Sequence, residues 1–480
     1  MRHALPLIAL TLLGACTVGP DYKGPPAVAS DAATRGSFVR AKDVAFTPAP
    51  GLARWWEALG DATLTALVDD ALAHSPSIDA AEANLRAAQA QYQQQRAARL
   101  PSVSASAVYL NARLPGTDLG GAQQGGGAGG DTSLDFYNLG GMASWEPDLF
   151  GGGRRSLEQR RATTEQRFAQ LADAQVTLSA QVAQAYVALR DVQARARLNA
   201  QSSALQRRQL ALMQQRYGAG TVSKLQVERL QNQLDTTDAQ TIPLAAQIEE
   251  YEGQLAILTG RSPGALDATL APVRAVPLPP AQVPIGDPAA LIAHRPDIRA
   301  AERALAAGNA QIGVATARMF PSLKLFGVIG LGGSGIGDVL DPSKLATLAA
   351  PMLNWSFLDF GRNRAAVRQS EAQRDAAAAQ YRQTVLEALQ DAETSLSRFG
   401  NTRAQLAQLL LAQQSAARAA NLNAQRVAAG TSTTFDQLDI ERQQLSAAIG
   451  VAQARAQLAN GYIAIQKSLG LGWTDPSAGR

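Results

Sequence analysis

The sequence predicts a mixed α and β chain built as an internal two-fold repeat, each copy supplying a pair of short strands and a long helical hairpin. Three observations predict it: a duplication, two long stretches without proline, and short two-faced segments bounded by glycine. His74-Ser-Pro-Ser-Ile-Asp-Ala-Ala-Glu82, running on to Leu100-Pro101-Ser102, returns 220 positions later as His294-Arg-Pro-Asp-Ile-Arg-Ala-Ala-Glu302, running on to Phe320-Pro321-Ser322. A second block returns at a spacing of 210, matching Trp145 to Trp355, Phe150 to Phe360, Arg154 to Arg364, Gly220-Thr221 to Gly430-Thr431 and Gly260 to Gly470. The change of offset falls between Ser102 and Trp145. A repeat of this length is one duplicated supersecondary unit rather than two unrelated domains.

The first residues read as a processing signal: Arg2 and His3 are basic, Ala4 to Leu13 is apolar, and Ala15 is a small residue before Cys16. The apolar stretch is too short to span a bilayer. Cys16 is the only cysteine, so no disulfide can form within the chain. Leu13-Gly14-Ala15-Cys16 resembles the lipobox of bacterial lipoproteins, which implies that residues 1–15 are removed and Cys16 is lipidated; an ordinary secretory signal is the alternative. Thr17 follows rather than Asp, which by the same resemblance implies transfer to the outer membrane. Residues 16–50 are then a lipidated N-terminal segment, 51–265 the first repeat, 266–288 a Pro-rich linker, 289–473 the second repeat and 474–480 a tail.

Apolar residues make up 46% of the chain but aromatics only 5%, with much Ala and Gln, a composition that makes long helices better than it fills a thick core. The formal charge of +4 is small for 480 residues and its basic groups are scattered, which gives nucleic-acid binding little support.

No proline interrupts Asp148 to Ile242 or Met352 to Asp475, leaving room for two very long helical stretches. Phe168, Leu171, Gln175, Leu178, Val182, Ala185, Leu189 and Val192 follow coiled-coil steps of three and four, with only Gln175 breaking the apolar seam. The outgoing helix is expected from about Arg154 to Arg216, on the order of 100 Å, and ends at Gly220. Ser223-x-x-Gln226 reads as a capping box opening a returning helix. The second copy repeats the turn as Gly430 followed by Thr433-x-x-Asp436, so helical hairpins are expected at about 154–258 and 362–469.

Strands are expected at about 102–112 and 137–149, and at 322–331 and 348–358, each pair joined by a Gly-rich loop. Ser102 to Tyr109 alternates small polar with apolar side chains, as a strand with two different faces does. Lengths near ten residues match transmembrane β-strands, and four strands cannot close a barrel alone, so their exposed edges call for oligomerisation.

Cys16-Thr-Val-Gly-Pro-Asp-Tyr-Lys-Gly-Pro25, Trp55-Trp56 with Gly60-Asp61, His294-Arg-Pro-Asp-Ile298 and Trp145-Glu-Pro-Asp-Leu-Phe-Gly151 resemble the outer-membrane efflux lipoproteins, the NodT-type branch of the TolC-like family, from Cys16 to about Trp473. The resemblance implies a homotrimer whose protomers each give four strands to a twelve-stranded outer-membrane β-barrel, continued by a periplasmic α-helical coiled-coil barrel. It implies an exit duct for drugs or other small molecules, loaded by a periplasmic adaptor (membrane fusion) protein and an inner-membrane pump of the RND type, anchored through Cys16 by lipid such as palmitate, and without cofactor or catalysis. A duct for type I protein secretion or metal-cation efflux is the alternative within transport. A lipid-anchored periplasmic coiled-coil scaffold without a pore is the alternative outside it.

By the same resemblance Asp436, Asp439 and Arg442 lie at the periplasmic gate, where carboxylates from each protomer of the trimer converge and attract cations. Capping of the helix start is the competing explanation for Asp436; Arg442, one turn after Asp439, could pair with it or be an ordinary surface helix charge. The first copy has Gln226 and Arg229 at the equivalent positions. Gly220, Thr221, Gly430 and Thr431 mark hairpin tips; helix capping explains them, and the resemblance adds adaptor contact. Trp145 and Trp355 read either as interfacial aromatics or as core. His74 and His294 open a turn into a helix and suggest no metal site. The stretches 151–153 and 330–337 lack a phosphate-loop ending and read as strand-end and loop glycines. No nucleophile and base pair stands out.

Overall fold

The computed structural model of the protein describes residues 17–114 and 132–473; Cys16 and the Gly-rich loop of the first copy lie outside them. The elements in order are α1 (Ser30–Arg35), β1 (Phe46–Thr47), a 3₁₀ turn (Trp55–Leu59), α2 (Ala62–His74), α3 (Pro76–Ala97), β2 (Ser102–Leu114), β3 (Thr132–Trp145), α4 (Gly152–Gly218) and α5 (Lys224–Leu258). Then follow α6 (Asp267–Leu270), β4 (Val283–Pro284), α7 (Pro288–His294), α8 (Pro296–Ala317), β5 (Ser322–Gly333), β6 (Leu345–Asn354), α9 (Arg362–Ala428) and α10 (Thr434–Ser468). The chain forms two compact units: one from residues up to 25, 86–165 and 302–379, the other from 26–85, 166–301 and 380 onward. Each therefore draws on both repeats. The repeat boundaries at 265 and 289 are boundaries of sequence and not of packing, because neither copy buries its apolar faces alone.

The first unit holds an antiparallel sheet in the order β2-β3-β5-β6. Its strands differ from the sequence expectation. β3 starts at Thr132, five residues earlier than expected, because pairing with β2 continues out to Leu114↔Thr132. It stops at Trp145 rather than 149, since Pro147 has no N–H to donate and Asp148 turns the chain into α4. β6 likewise runs 345–354 and not 348–358. Pro351 sits within it, as proline does on an edge strand. Gly330 is a strand residue as expected, and Gly332 and Gly333 extend β5 two residues beyond the expected 331. A Cβ at Gly140 would meet the Ile329 carbonyl at 2.4 Å, so the two strands need glycine to approach there.

The second unit holds the main core. Trp55 and Trp56 are 0% and 1% exposed, their rings edge to face at 5.7 Å, and the Tyr462 hydroxyl donates to the Trp55 carbonyl. Gly60 takes φ 67° to end the 3₁₀ turn, and Asp61 caps α2 through the Thr63 and Leu64 amides while accepting from the Tyr186 hydroxyl at 2.7 Å. Those contacts account for the Trp-Trp and Gly-Asp pattern.

The coiled-coil seam on α4 holds only in part: Phe168, Leu171 and Gln175 are half-buried, while from Val176 to Gln193 burial extends around most of the helix. The reason is the additional chain packed on it. Residues 266–288 are not a bare linker, for β4 pairs in parallel with β1 through Phe46↔Val283 and Val283 is fully buried. Arg190, also fully buried, lies over the Tyr186 ring and donates to the Leu270 and Pro272 carbonyls at 3.0 and 2.8 Å.

Candidate functional site: wall, tips and gate residues

Strand register sorts the sheet residues onto two faces. Val103, Ala107, Leu139, Ala143, Leu325, Ile329, Leu345 and Leu353 share one face, which is apolar over most of its height. The other mixes Ser104, Ser106, Asn138, Ser144, Lys324 and Gly330 with Val108, Met142 and Phe326. Toward the loop end of the apolar face Tyr109 and Tyr137 stack at 4.8 Å, and the Tyr109 hydroxyl and Asn111 amide both donate to Asp135 at 3.0 and 2.8 Å. At the other end stands Trp145. Trp145 lies eight positions after Tyr137, about 27 Å along the strand, or roughly 20 Å of height at the usual barrel tilt. That resembles the apolar band between two aromatic girdles.

Trp145 and Trp355 are 38% and 53% exposed, so neither is buried in the core of its own chain. Both indoles donate to the carbonyl three positions before the opening strand of their copy, Trp145 to Arg99 at 3.0 Å and Trp355 to Met319 at 3.2 Å. Each strand-to-helix junction also has an acid that caps the long helix. Asp148 accepts from the Gly153 and Arg154 amides. Asp359, one position nearer its Phe-Gly, accepts from Gly361 and Asn363; those amides, Asn363 first, hold its carboxyl below the usual range.

The hairpin tips are built alike. Gly220 and Gly430 have φ of 70° and 71°. The Thr221 amide reaches back to the Arg216 carbonyl at 2.9 Å and Thr431 to Arg426 at 2.8 Å, the Schellman pattern of a glycine C-cap. Each threonine hydroxyl donates to the same carbonyl as its amide. The returning helices open on capping boxes, with Gln226 accepting from the Ser223 amide in the first copy and Asp436 exchanging bonds with Thr433 in the second. The Thr433 hydroxyl, at 2.6 Å, is the main cause holding the Asp436 carboxyl below its ordinary value. Asp439 instead receives Arg442 at 2.7 Å and Gln443 at 3.1 Å. The two acids thus have different duties: Asp436 closes the helix start, while the half-exposed Asp439 and Arg442 form a pair along the helix. His74 and His294 end α2 and α7, His74 against Asp70 at 3.0 Å. Among the described residues no group of three or more His, Cys, Asp or Glu is placed to hold a metal ion.

Two anchors lie beyond what sequence reasoning singled out. Arg155, 5% exposed, donates to the Val18 and Gly19 carbonyls at 3.2 Å and to Asp21 at 2.6 Å, seating the chain that follows Cys16. Asn309 holds the Pro20 carbonyl, and Tyr22 donates to Glu302. Gly19 passes so near Gly313 that a Cβ would lie 2.4 Å from its Cα. Arg295 binds Asp297 through two nitrogens and donates to the Ser468 carbonyl at 2.6 Å, pinning the end of α10. The anchoring role of Arg155 gave no signal, since apart from Glu158 three positions on, its partners lie far away in sequence; Arg295 was visible within the His-Arg-Pro-Asp-Ile run but its role was not.

The family model described as outer membrane efflux protein matches residues 67–261 and 288–471, one segment in each repeat. Outer membrane protein OprJ of Pseudomonas aeruginosa is 30% identical over 98% of this chain and 95% of its own. The solvent efflux pump outer membrane protein SrpC of Pseudomonas putida is 28% identical over 98% of each. The solved structure of the outer-membrane channel OprN superposes with a TM-score of 0.84 at 35% identity, covering 95% of this chain and all of that one. With a family model that spans both repeats, and relatives and a channel structure matched over nearly their full length, the chain belongs to the outer membrane efflux protein family.

Proposed function

We propose that three copies of this outer-membrane chain close a twelve-stranded barrel, continue it into the periplasm with their helical hairpins, and serve as the exit duct of an efflux system. The observation that carries the reading is the four-stranded sheet: one face apolar between two sets of aromatics, the other mixed and small, and both edges unpaired among the described residues. Such a sheet satisfies its backbone in lipid only when other strands close it. The described helices include none long and apolar enough to cross a membrane.

Within that duct the tips at Gly220-Thr221 and Gly430-Thr431 meet a periplasmic adaptor, which couples the duct to an inner-membrane pump of the RND type. Asp439, with Asp436 and Arg442, rings the periplasmic entrance, where like charges brought together by symmetry attract cations and repel one another, a repulsion that partners must offset in the closed state. Lipid on Cys16 anchors the N-terminal strap. Small molecules are the cargo, in keeping with the solvent efflux pump to which SrpC belongs by name. The duct performs no chemical step.

Planar-bilayer recording tests this. Asp439→Ala raises single-channel conductance and weakens block by divalent cations more than Glu228→Ala does. Equal effects from both would remove the special role of Asp439, and a purified protein that conducts in no form, even with Asp436 and Asp439 both replaced by Ala, would sink the duct.

A further inference from the structure

The two hairpin tips match in backbone and differ in the seam between their helices. In the first repeat that seam is apolar: Leu210 and Met213 on α4 are buried, and Val222 in the turn and Val227 on α5 are half-buried. At the 210 spacing the same places hold Ala420, Asn423, Ser432 and Gln437. There the seam is a chain of hydrogen bonds. The Ser432 hydroxyl donates to Asn423 Oδ1 at 2.8 Å, Asn423 Nδ2 donates to Gln437 Oε1 at 2.9 Å, and Gln437 Nε2 donates to the Ala420 carbonyl at 3.2 Å and to Glu441 Oε1 at 2.8 Å. Asn423 is 6% exposed, so the chain of bonds runs through the inside of the hairpin.

The two seams constrain their helices differently. Apolar contact has no direction, so one helix can turn or slide a little on the other. Hydrogen bonds fix both distance and angle, and a buried polar pair in a coiled coil holds one register at a cost in stability. The bonded seam lies in the repeat that carries Asp436, Asp439 and Arg442, and the apolar one in the repeat with Gln226 and Arg229. Gln437 and Asp439 are two residues apart, about 200° around the helix. Holding Gln437 against α9 therefore turns Asp439 away from it, and the Asp439 and Arg442 side chains are 41% and 40% exposed. The Asp436 cap and the Asp439 pair with Arg442 cannot do this, because both lie at the start of α10 or within it and tie nothing to α9.

We propose that Asn423, Ser432 and Gln437 are positioning residues of the entrance, locking the rotation of α10 on α9 and so fixing the direction in which Asp439 and Arg442 face. This rests on the reading of Asp439 as an entrance residue and adds what aims it. A turn of α10 by one residue, about 100°, would carry Asp439 off its line while leaving its pair with Arg442 intact. The constriction depends on the bearing of its charges as well as on their presence.

Planar-bilayer recording and thermal unfolding of the full-length chain test this together. Asn423→Met with Gln437→Val installs the residues of the first repeat and removes both bonded partners at once, so the unfolding temperature should stay level or rise. With Asp439 and Arg442 both in place, the Mg²⁺ concentration that half-blocks the channel should nevertheless rise about fivefold, the population ratio that one net hydrogen bond sustains. Gln437→Met, close to Gln in shape, breaks the same bonds with a smaller change of volume and should shift the block in the same direction. Asp439→Ala is recorded beside them. Unchanged block in both lock variants, with block weakened in Asp439→Ala, overturns the lock and leaves the entrance reading standing. A shift in block that comes only with a large fall in unfolding temperature reduces the three residues to packing and also overturns the lock. No effect of Asp439→Ala overturns the entrance reading, and the positioning role with it.

Discussion

The helical hairpins of the two copies have identical lengths, 67 residues outward and 35 returning, whereas their strands run 13 and 14 residues in one copy and 12 and 10 in the other. The two strand hairpins share one register as far as Asn111↔Asp135 and Leu331↔Leu345, so all ten extra residues of the first copy lie beyond that pair, six of them extending the paired strands to Leu114↔Thr132 and four lengthening the connection. The difference teaches where length is constrained. A helix inserted into by one residue rotates every later side chain by about 100°, so all packing beyond it fails together. A residue added at a strand hairpin tip disturbs nothing already paired.

Glycines at the two ends of the helical hairpins sharpen that comparison, and they give the largest expected effect. Gly260 and Gly470 cap the returning helices with φ of 70° and 71°, as Gly220 and Gly430 cap the outgoing ones. A Cβ at Gly260 would lie 2.3 Å from the His74 carbonyl oxygen, and at Gly470 2.6 Å from Arg295 Cγ, while at Gly220 and Gly430 it would meet nothing within 4 Å. Gly260→Ala therefore costs about 4 kcal/mol or more, through a backbone clash added to an unfavourable φ. Gly430→Ala costs only about 1–2 kcal/mol, the left-handed conformation alone. Thermal unfolding of both variants checks the order, and comparable losses would break the distinction between a packed end and a free tip.

The turn that meets those packed ends gives the next effect. In the second copy Arg295, 11% exposed at its side chain, ties Asp297 to the Ser468 carbonyl. The first copy has only a hydroxyl bond between Ser75 and Ser77 at 3.0 Å. Arg295→Ala leaves Asp297 and a carbonyl without their donor and costs about 2–3 kcal/mol, against about 1 kcal/mol for Ser75→Ala. Denaturant midpoints of the two variants decide it; equal shifts would mean that the charged tie adds nothing over the hydroxyls.

Local signals were the readable ones. Gly220 followed by Ser223-x-x-Gln226 marks both a stop and a start because capping is settled within one helical turn. The two-faced strands were legible from alternation, but not their ends, since Thr132 is a strand residue only because Leu114 lies opposite it. At the junctions the Phe-Gly repeat was plain, whereas the shift of the capping acid from Asp148 to Asp359 was not. A carboxylate reaches the same helix start from either of two neighbouring positions. Arg155 and Arg190 were beyond reach altogether. Each has one local side-chain partner, Glu158 and Gln193, but apart from Asp21 their long-range acceptors are main-chain carbonyls at Val18, Gly19, Leu270 and Pro272, and a carbonyl carries no residue identity for a pattern to detect.

The smallest expected effect lies at the tips, where the copies match in geometry and differ in charge. Gln226 and Asp436 occupy equivalent places in their capping boxes, but only Asp436 titrates. Its folded pKa is depressed, chiefly by the Thr433 hydroxyl. The stability it contributes is therefore fully present above the unfolded carboxyl value of about 3.9, and is lost as pH falls through the lower folded value. Amide exchange at the start of α10 should be slower in the unsubstituted protein than in Asp436→Asn at pH 5 to about 7, with the ratio closing toward one below about pH 4. Over the same range the start of α5 should show no such change between the two proteins. A ratio that stayed constant with pH would mean that the cap at Asp436 depends on its shape, as the neutral cap at Gln226 does, and the charge would be left free to act at the entrance.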